Sequence, residues 1–356
     1  MTTDPVRQAR PPRAVLVTGV SRYLGAQVAA RLAADPRIER VIGLDDREPA
    51  GDQATVLADT VEFVRADIRT AEPARVIASN RVETVVHLAI ASAADPNAGG
   101  RAAMKEQNVI GTMQLLAGCQ QAPGLRKIVF RSSTAAYGAS FRDPAVFTED
   151  TEPRDVPRGG FARDVLDIEG YLRGFRRRRP DVATTVLRFA PLVGRRANTS
   201  LTRYFGLPLV PTVLGRDPRL QFIHVDDALE ILHRSVTEDH PGTFNAAGAG
   251  TITLSQAVRR AGRIGVPILE PALSAIGRGG ARNFSLDQLD LFVHGRVVDT
   301  TRLIEEYGFR PRSTAVAFED FLRGIGAVLP RDMIGALEHR ILAGLRRSRA
   351  ALGGER

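Results

Sequence analysis

Short apolar runs alternate with amphipathic stretches through the first half of the chain. Ala14–Thr18, Arg40–Leu44, Val61–Arg65, Thr84–Leu88, Lys127–Ser132 and Ala183–Phe189 are brief, β-branched and lack strict alternation. That pattern predicts strands covered on both faces. Between them, Tyr23–Ala34, Glu72–Ser79, Arg101–Gln121 and Phe161–Arg178 place apolar residues at helical spacing. Strand–helix alternation of this kind predicts an α/β fold built on a Rossmann-type, doubly wound parallel sheet.

The pattern loosens after residue 190. Leu220–Val225 reads as a strand leading into a helix capped by Asp226 or Asp227, and a second helix starts near Thr253, with Thr253 and Ser255 as candidate caps. Further helices are expected at Thr300–Tyr307 and Ala315–Ile325. The expected organisation is a disordered lead-in over 1–12, a dinucleotide-binding domain over 13–189, and a smaller C-terminal substrate lobe mainly over 190–330. Some lobe segments are expected to return to the main sheet. A basic amphipathic tail follows over 331–356, with Met333, Ile334, Leu337, Ile341, Leu342 and Leu345 at helical spacing among arginines. That tail is expected to pack on its own domain or on a second copy in a homodimer, with peripheral membrane contact as the alternative.

Composition narrows the classes. No run of 18 apolar residues exists, so a membrane-spanning helix is not expected. The single cysteine, Cys119, excludes an internal disulfide and fits a reducing cytoplasm. The six histidines lack ligand-like spacing, so no metal site is expected. The net charge is +9, yet the only lysines are Lys105 and Lys127. Basic charge comes without a nucleic-acid motif, so no nucleic-acid partner is expected.

The first strand runs as Val15-Leu16-Val17-Thr18-Gly19 into Val20-Ser21-Arg22-Tyr23-Leu24-Gly25 and then a helix. A strand, a glycine turn and a helix N-terminus make an anion site suited to a pyrophosphate. Asp45 follows the second strand, twenty residues after Gly25. An acid there accepts both ribose hydroxyls and repels a 2′-phosphate, so NAD is expected over NADP. Arg47 nearby keeps NADP as the second choice.

These motifs and those that follow resemble the extended short-chain dehydrogenase/reductase superfamily, in its NAD-dependent epimerase/dehydratase branch, across residues 13–325. Its glycine turn is Thr-Gly-x-x-Gly-x-x-Gly; Gly19 and Gly25 match and Arg22 departs from it, either crowding the pyrophosphate or contacting it as a cation. By resemblance, Arg65-Ala66-Asp67-Ile68-Arg69 is the adenine segment, with Asp67 and Ile68 in contact. His87-Leu88-Ala89-Ile90 is similar to the family's His-Leu-Ala-Ala strand end, and Asn108-Val109-Ile110-Gly111-Thr112 to its Asn-Val-x-Gly-Thr helix, whose Asn supports the nicotinamide side.

The run Phe130-Arg131-Ser132-Ser133-Thr134-Ala135-Ala136-Tyr137-Gly138 resembles the strand end that carries the family's catalytic hydroxyl, which falls on Ser133. The family's acid/base tyrosine works beside a lysine, because a phenol of pKa about 10 needs a cation to serve as a base at neutral pH. Phe161-Ala162-Arg163-Asp164-Val165-Leu166-Asp167-Ile168-Glu169 aligns with Tyr-x-x-Ser-Lys-x-x-x-Glu. Phe161 and Val165 therefore stand where the pair should be. Tyr137 with Arg163 is the candidate relocated pair; the other reading of Tyr137-Gly138 is loop-building. Asp164 and Asp167 are read as solvent-facing, with a base role as the alternative.

On the substrate side, Leu187-Arg188-Phe189-Ala190-Pro191-Leu192-Val193-Gly194 resembles Leu-Arg-x-x-Asn-x-x-Gly, with Pro191 in place of the Asn that contacts the sugar diphosphate. Leu220 replaces a diphosphate-binding Arg, leaving Arg216, Arg219 and Arg296 as candidate phosphate contacts. Two functions follow. One is an NAD-binding protein of the epimerase/dehydratase type with an altered centre and a small-molecule ligand, a nucleotide-sugar among the candidates. The other is a catalytically silent dinucleotide-binding sensor or scaffold.

Overall fold

The computed structural model describes residues 11–155, 157, 160–197, 199–270 and 286–325. The tail over 331–356 and most of the lead-in lie outside these residues. Six strands fall where the apolar runs predict them: β1 (Ala14–Thr18), β2 (Arg40–Asp45), β3 (Glu62–Arg65), β4 (Thr84–His87), β5 (Lys127–Ser133) and β6 (Ala183–Phe189). They form one parallel sheet with Gly242–Ala246, in the order Gly242–Ala246, β6, β5, β4, β1, β2, β3. The order reverses at β1, which lies between β2 and β4. A crevice at such a switch point is where open α/β sheets bind ligands.

β1 shows why its sequence does not alternate. Val15 and Val17 enter one core with Val28 and Leu32 of α1 (Tyr23–Ala33), while Ala14 and Leu16 enter the other with Leu115 and Leu116. Both faces are dry, so both parities are apolar.

The stretch Arg101–Gln121, expected as one helix, is interrupted. It divides into Gly100–Lys105, a π-helical turn at Glu106–Ile110 and Gly111–Gln121. The wide turn contains Asn108, whose amide is anchored to Ala91 on a neighbouring loop. Such π turns concentrate at functional sites. Cys119 lies in the core, and burial pushes its thiol up to about 12.

The lobe corrects several details. The helix Val225–Thr237 is capped by His224, whose ring Nδ1 accepts from the Asp226 backbone N–H at 3.1 Å. Asp227 instead accepts from the Arg312 backbone N–H at 2.8 Å. Thr253 does cap Leu254–Arg260, with Gln256 closing a capping box, while Ser255 bonds Asp217. The strand Gly242–Ala246 pairs with β6 and was not expected, because Phe244 is its one bulky apolar residue. An aromatic cluster of Tyr204, Phe205, Phe222, Phe292 and Phe318 forms the lobe's own core. Among the described residues, no helix is long and apolar enough to cross a membrane, and no side-chain cluster is arranged to hold a metal ion.

Candidate dinucleotide cleft and adjoining cavity

A cleft of about 660 Å³ opens at the carboxyl ends of the central strands. Gly19 sits at φ +82°, and a Cβ there would lie 2.9 Å from Ala89 backbone atoms. At Gly25 a Cβ would lie 2.1 Å from the Gly19 carbonyl oxygen. The turn is thus pressed against both β4 and the first turn of α1, and no side chain fits. The α1 N-terminus has no side-chain cap, so its free N–H groups are left for an anion. Arg22 donates its backbone N–H to the Gly19 carbonyl and its residue lines the cleft beside Tyr23 and Leu24.

The Asp45 carboxylate accepts from the Ser21 N–H at 2.9 Å, tying the end of β2 to the glycine turn. Asp46 lies beside it, and burial together with the Asp45 carboxylate raises the Asp46 pKa. Leu88 and Ile90 line the opposite wall, while Ala89 backs the Gly19 turn. Asp67 and Ile68 do not line the cleft: Asp67 is held by Arg69 at 2.7 Å, and Ile68 packs into the core beside Gly111. Arg69 is the residue of that segment that lines it.

Beneath the cleft, His87 joins two strands to a helix. Thr18 Oγ1 accepts from the Leu88 and Ala89 N–H groups at 3.2 Å, so its own proton points to His87 Nδ1 at 2.8 Å. Nε2–H then donates to Thr112 Oγ1 at 2.9 Å, and Thr112 donates to the Asn108 carbonyl. Burial, then the Arg131 charge, pushes the His87 pKa down to about 3 from 6.5. The unfolded chain therefore binds the extra proton first as pH falls. This stabilisation is complete above pH 6.5 and is expected to be lost progressively towards pH 3. Urea unfolding at pH 7 and 5 checks it: His87→Asn should show a shallower pH slope than the unaltered protein.

Asn108 acts through structure rather than through the cleft surface. Its amide brackets Ala91, accepting from the N–H at 2.8 Å and donating to the carbonyl at 2.9 Å. It also donates to Asp164 at 3.1 Å. Asp164 is not solvent-facing as expected: it is fully buried and takes two guanidinium bonds from Arg101, at 2.8 and 2.5 Å. Both its oxygens are engaged, which leaves none to act as a base. Asp167 stands on the outer side of the helix Gly160–Arg178, paired with Arg163 at 3.0 Å.

A second cavity, of about 100 Å³, adjoins the cleft and shares Ser92, Arg131, Leu192 and Thr199 with it. Ser133 and Phe161 line this cavity. Val165 lies behind, 1% exposed and packed in the same core as Phe161, Ile90 and Ala135. The two positions where a tyrosine–lysine pair was expected are thus filled by packed hydrocarbon. Among the described residues, the charged ones on the cavity wall are Arg131 and Arg296.

The sequence model of the NAD dependent epimerase/dehydratase family matches residues 15–247. The chain belongs to this family. An uncharacterized protein of Mycobacterium tuberculosis is 48% identical over 322 residues, covering 88% of this chain and 85% of its own length. A dTDP-glucose 4,6-dehydratase of Neisseria gonorrhoeae is 26% identical over 343 residues, covering 87% and 93%. The fold matches a Thermotoga maritima UDP-glucose 4-epimerase solved with UDP-glucose, with a TM-score of 0.67, 20% identity, and coverage of 87% and 98%. A Thermus thermophilus UDP-glucose 4-epimerase complexed with NAD gives 0.66 at 21% identity, with the same coverage.

Against the epimerase/dehydratase pattern, Ser133 faces the cavity and Tyr137 does not. The Tyr137 ring stacks on Phe147, and its hydroxyl donates to Asn245 at 2.7 Å and accepts from Arg188 at 2.9 Å. Arg188 is in turn held by the buried Glu169, which also takes the Ser132 hydroxyl. Burial raises the Tyr137 pKa, the opposite of what a base needs. Tyr137 and Arg163 do share a groove, but that groove has no lining residue in common with the cleft. Arg216 and Arg219 line another groove away from the cavity, and Arg296 lines both. Arg101 and Arg131 were missed as candidates. The signal for Arg131 was an arginine directly after the apolar run Ile128-Val129-Phe130 within a strand.

Proposed function

We propose that this protein binds NAD in the central cleft and does not perform the tyrosine-dependent proton transfer of the epimerase/dehydratase reaction. The observation that carries the reading is the burial of Phe161 and Val165 together in the core at the cavity wall. NAD, when bound, supplies hydride chemistry; this chain's residues supply the binding and the surroundings. The glycine turn and the uncapped α1 N-terminus suit the pyrophosphate. Asp45 suits the ribose hydroxyls. Among the described lining residues nothing suits proton removal: Ser133 is a hydroxyl with no base beside it on the wall, and both charged groups are arginines. Losing general acid/base assistance typically costs about 10²–10⁴-fold in rate. The reading is therefore a dinucleotide-binding protein with an altered centre and a small-molecule ligand that is not turned over as a sugar.

The decisive experiment releases any bound nucleotide from the denatured protein, titrates NADH and NADPH, and assays UDP-glucose and UDP-galactose. The expected result is NADH binding without interconversion of the sugars. Interconversion at rates of at least 1 s⁻¹, within the ordinary enzyme range, would overturn the account of the centre, and failure to bind either dinucleotide would overturn the account of the cleft. The preference for NAD rests on Asp45, with Asp46 behind it. Asp45→Asn removes the charge, and it is expected to weaken NADH about tenfold and narrow the gap to NADPH. Fluorescence titration with both reduced dinucleotides checks this.

A further inference from the structure

The cavity beside the cleft differs in kind from a sugar site. A hexose carries hydroxyls around its ring, and each needs a partner once removed from water. The walls here offer mainly Phe161, Phe189, Pro191, Leu192, Leu201 and Leu291. The chamber, of about 100 Å³, is small beside the cleft of about 660 Å³ that it adjoins.

Among the described lining residues, the polar side chains are two arginines and the hydroxyls of serines and threonines. No carboxylate and no imidazole is among them. The Ser132 hydroxyl is spent on Glu169 at 2.5 Å, and Arg296 Nε on the Gly138 carbonyl at 2.8 Å. Ser133 Oγ accepts from the Ala135 N–H at 3.1 Å, which leaves its own proton to donate. Arg131 Nη1 holds the Ile90 carbonyl at 2.9 Å, but its Nε is buried with no hydrogen-bond partner. Burial, then Arg22, pushes the Arg131 pKa down to about 10, so it remains a cation at neutral pH. A buried donor left unpaired is costly, and the Arg131 side chain that carries it lines the chamber.

We infer that this cavity binds a small apolar carboxylate, its carboxylate on Arg131 and Ser133 and its hydrocarbon body among Phe161, Phe189, Leu201 and Leu291. The inference deepens the reading of the cleft as an NAD site, since Arg131 lies on the wall common to both. A charge-assisted, two-point contact explains why the site holds arginine where an apolar strand residue would pack more simply.

Fluorine NMR of 4,4,4-trifluorobutyrate, added to the full chain saturated with NAD, tests it. The expected result is saturable binding that weakens at least about tenfold in Arg131→Gln, consistent with loss of a charge-assisted bond. Neutral 4,4,4-trifluorobutan-1-ol should bind at least about tenfold more weakly to the unaltered protein, a comparison that needs no variant to fold. Leu201→Trp, which fills the chamber, should abolish binding. Absence of saturable binding, equal binding of acid and alcohol, or displacement by UDP-glucose would each overturn the assignment. NAD affinity is measured on the same sample: if NAD fails to bind while trifluorobutyrate still does, the cleft reading falls and the cavity reading stands.

Discussion

Restoring the missing pair by Phe161→Tyr with Val165→Lys is expected to yield a less stable protein that still does not interconvert UDP-glucose and UDP-galactose. Val165 is 1% exposed and surrounded by the core shared with Phe161, Ile168 and Leu172. An ammonium placed there loses its hydration, and the nearest carboxylate in sequence, Asp164, is already committed to Arg101 and Asn108. Uncompensated burial of a charge costs several kcal/mol, on the order of half of a domain's net stability. Phe161→Tyr alone adds one hydroxyl at the cavity wall and is expected to fold. Urea unfolding of the single and double variants, beside a coupled epimerase assay, reads both effects. A stable and active double variant would show that the surroundings of the pair had been kept, which the apolar cavity argues against.

Arg101→Met should be strongly destabilising. It leaves the Asp164 carboxylate buried at 0% exposure with a single remaining amide donor from Asn108. Breaking a buried pair from one side costs about 3–5 kcal/mol, and the lower end applies because Arg101 itself is 39% exposed. Asp164→Asn added to Arg101→Met removes the orphaned charge and should recover a large part of the loss. A double-mutant cycle by urea unfolding measures the coupling. A loss below about 1 kcal/mol for Arg101→Met would mean that solvent reaches Asp164 as it does at surface pairs.

The framework was legible because each β-branched run had to be dry on both faces, and no other element of that length and composition fits between helices. The glycine turn was legible for a related reason: its close backbone approach admits no Cβ at Gly19 or Gly25. Asp67 and Asp164 were not. Each stands in a motif position, but the partner that decides its role is an arginine, two residues away for Asp67 and 63 for Asp164. Linear spacing cannot announce an ion pair 63 residues apart. The setting of Tyr137 was hidden for a similar reason: Asn245, its hydrogen-bond partner, lies 108 residues on, in a strand with one bulky apolar residue. Arg131 was visible as an oddity in its strand, but only the cavity gives that oddity a purpose.

The seventh strand has a consequence for how the chain must be made. Gly242–Ala246 lies on β6, although 52 residues of lobe separate the two in sequence, and β6 is otherwise an edge. The first 189 residues therefore cannot complete their own sheet. A protein cut after Phe189 would present an open row of backbone donors and acceptors, the kind of surface that recruits other strands. Closure of the sheet therefore waits until the ribosome has delivered Gly242–Ala246.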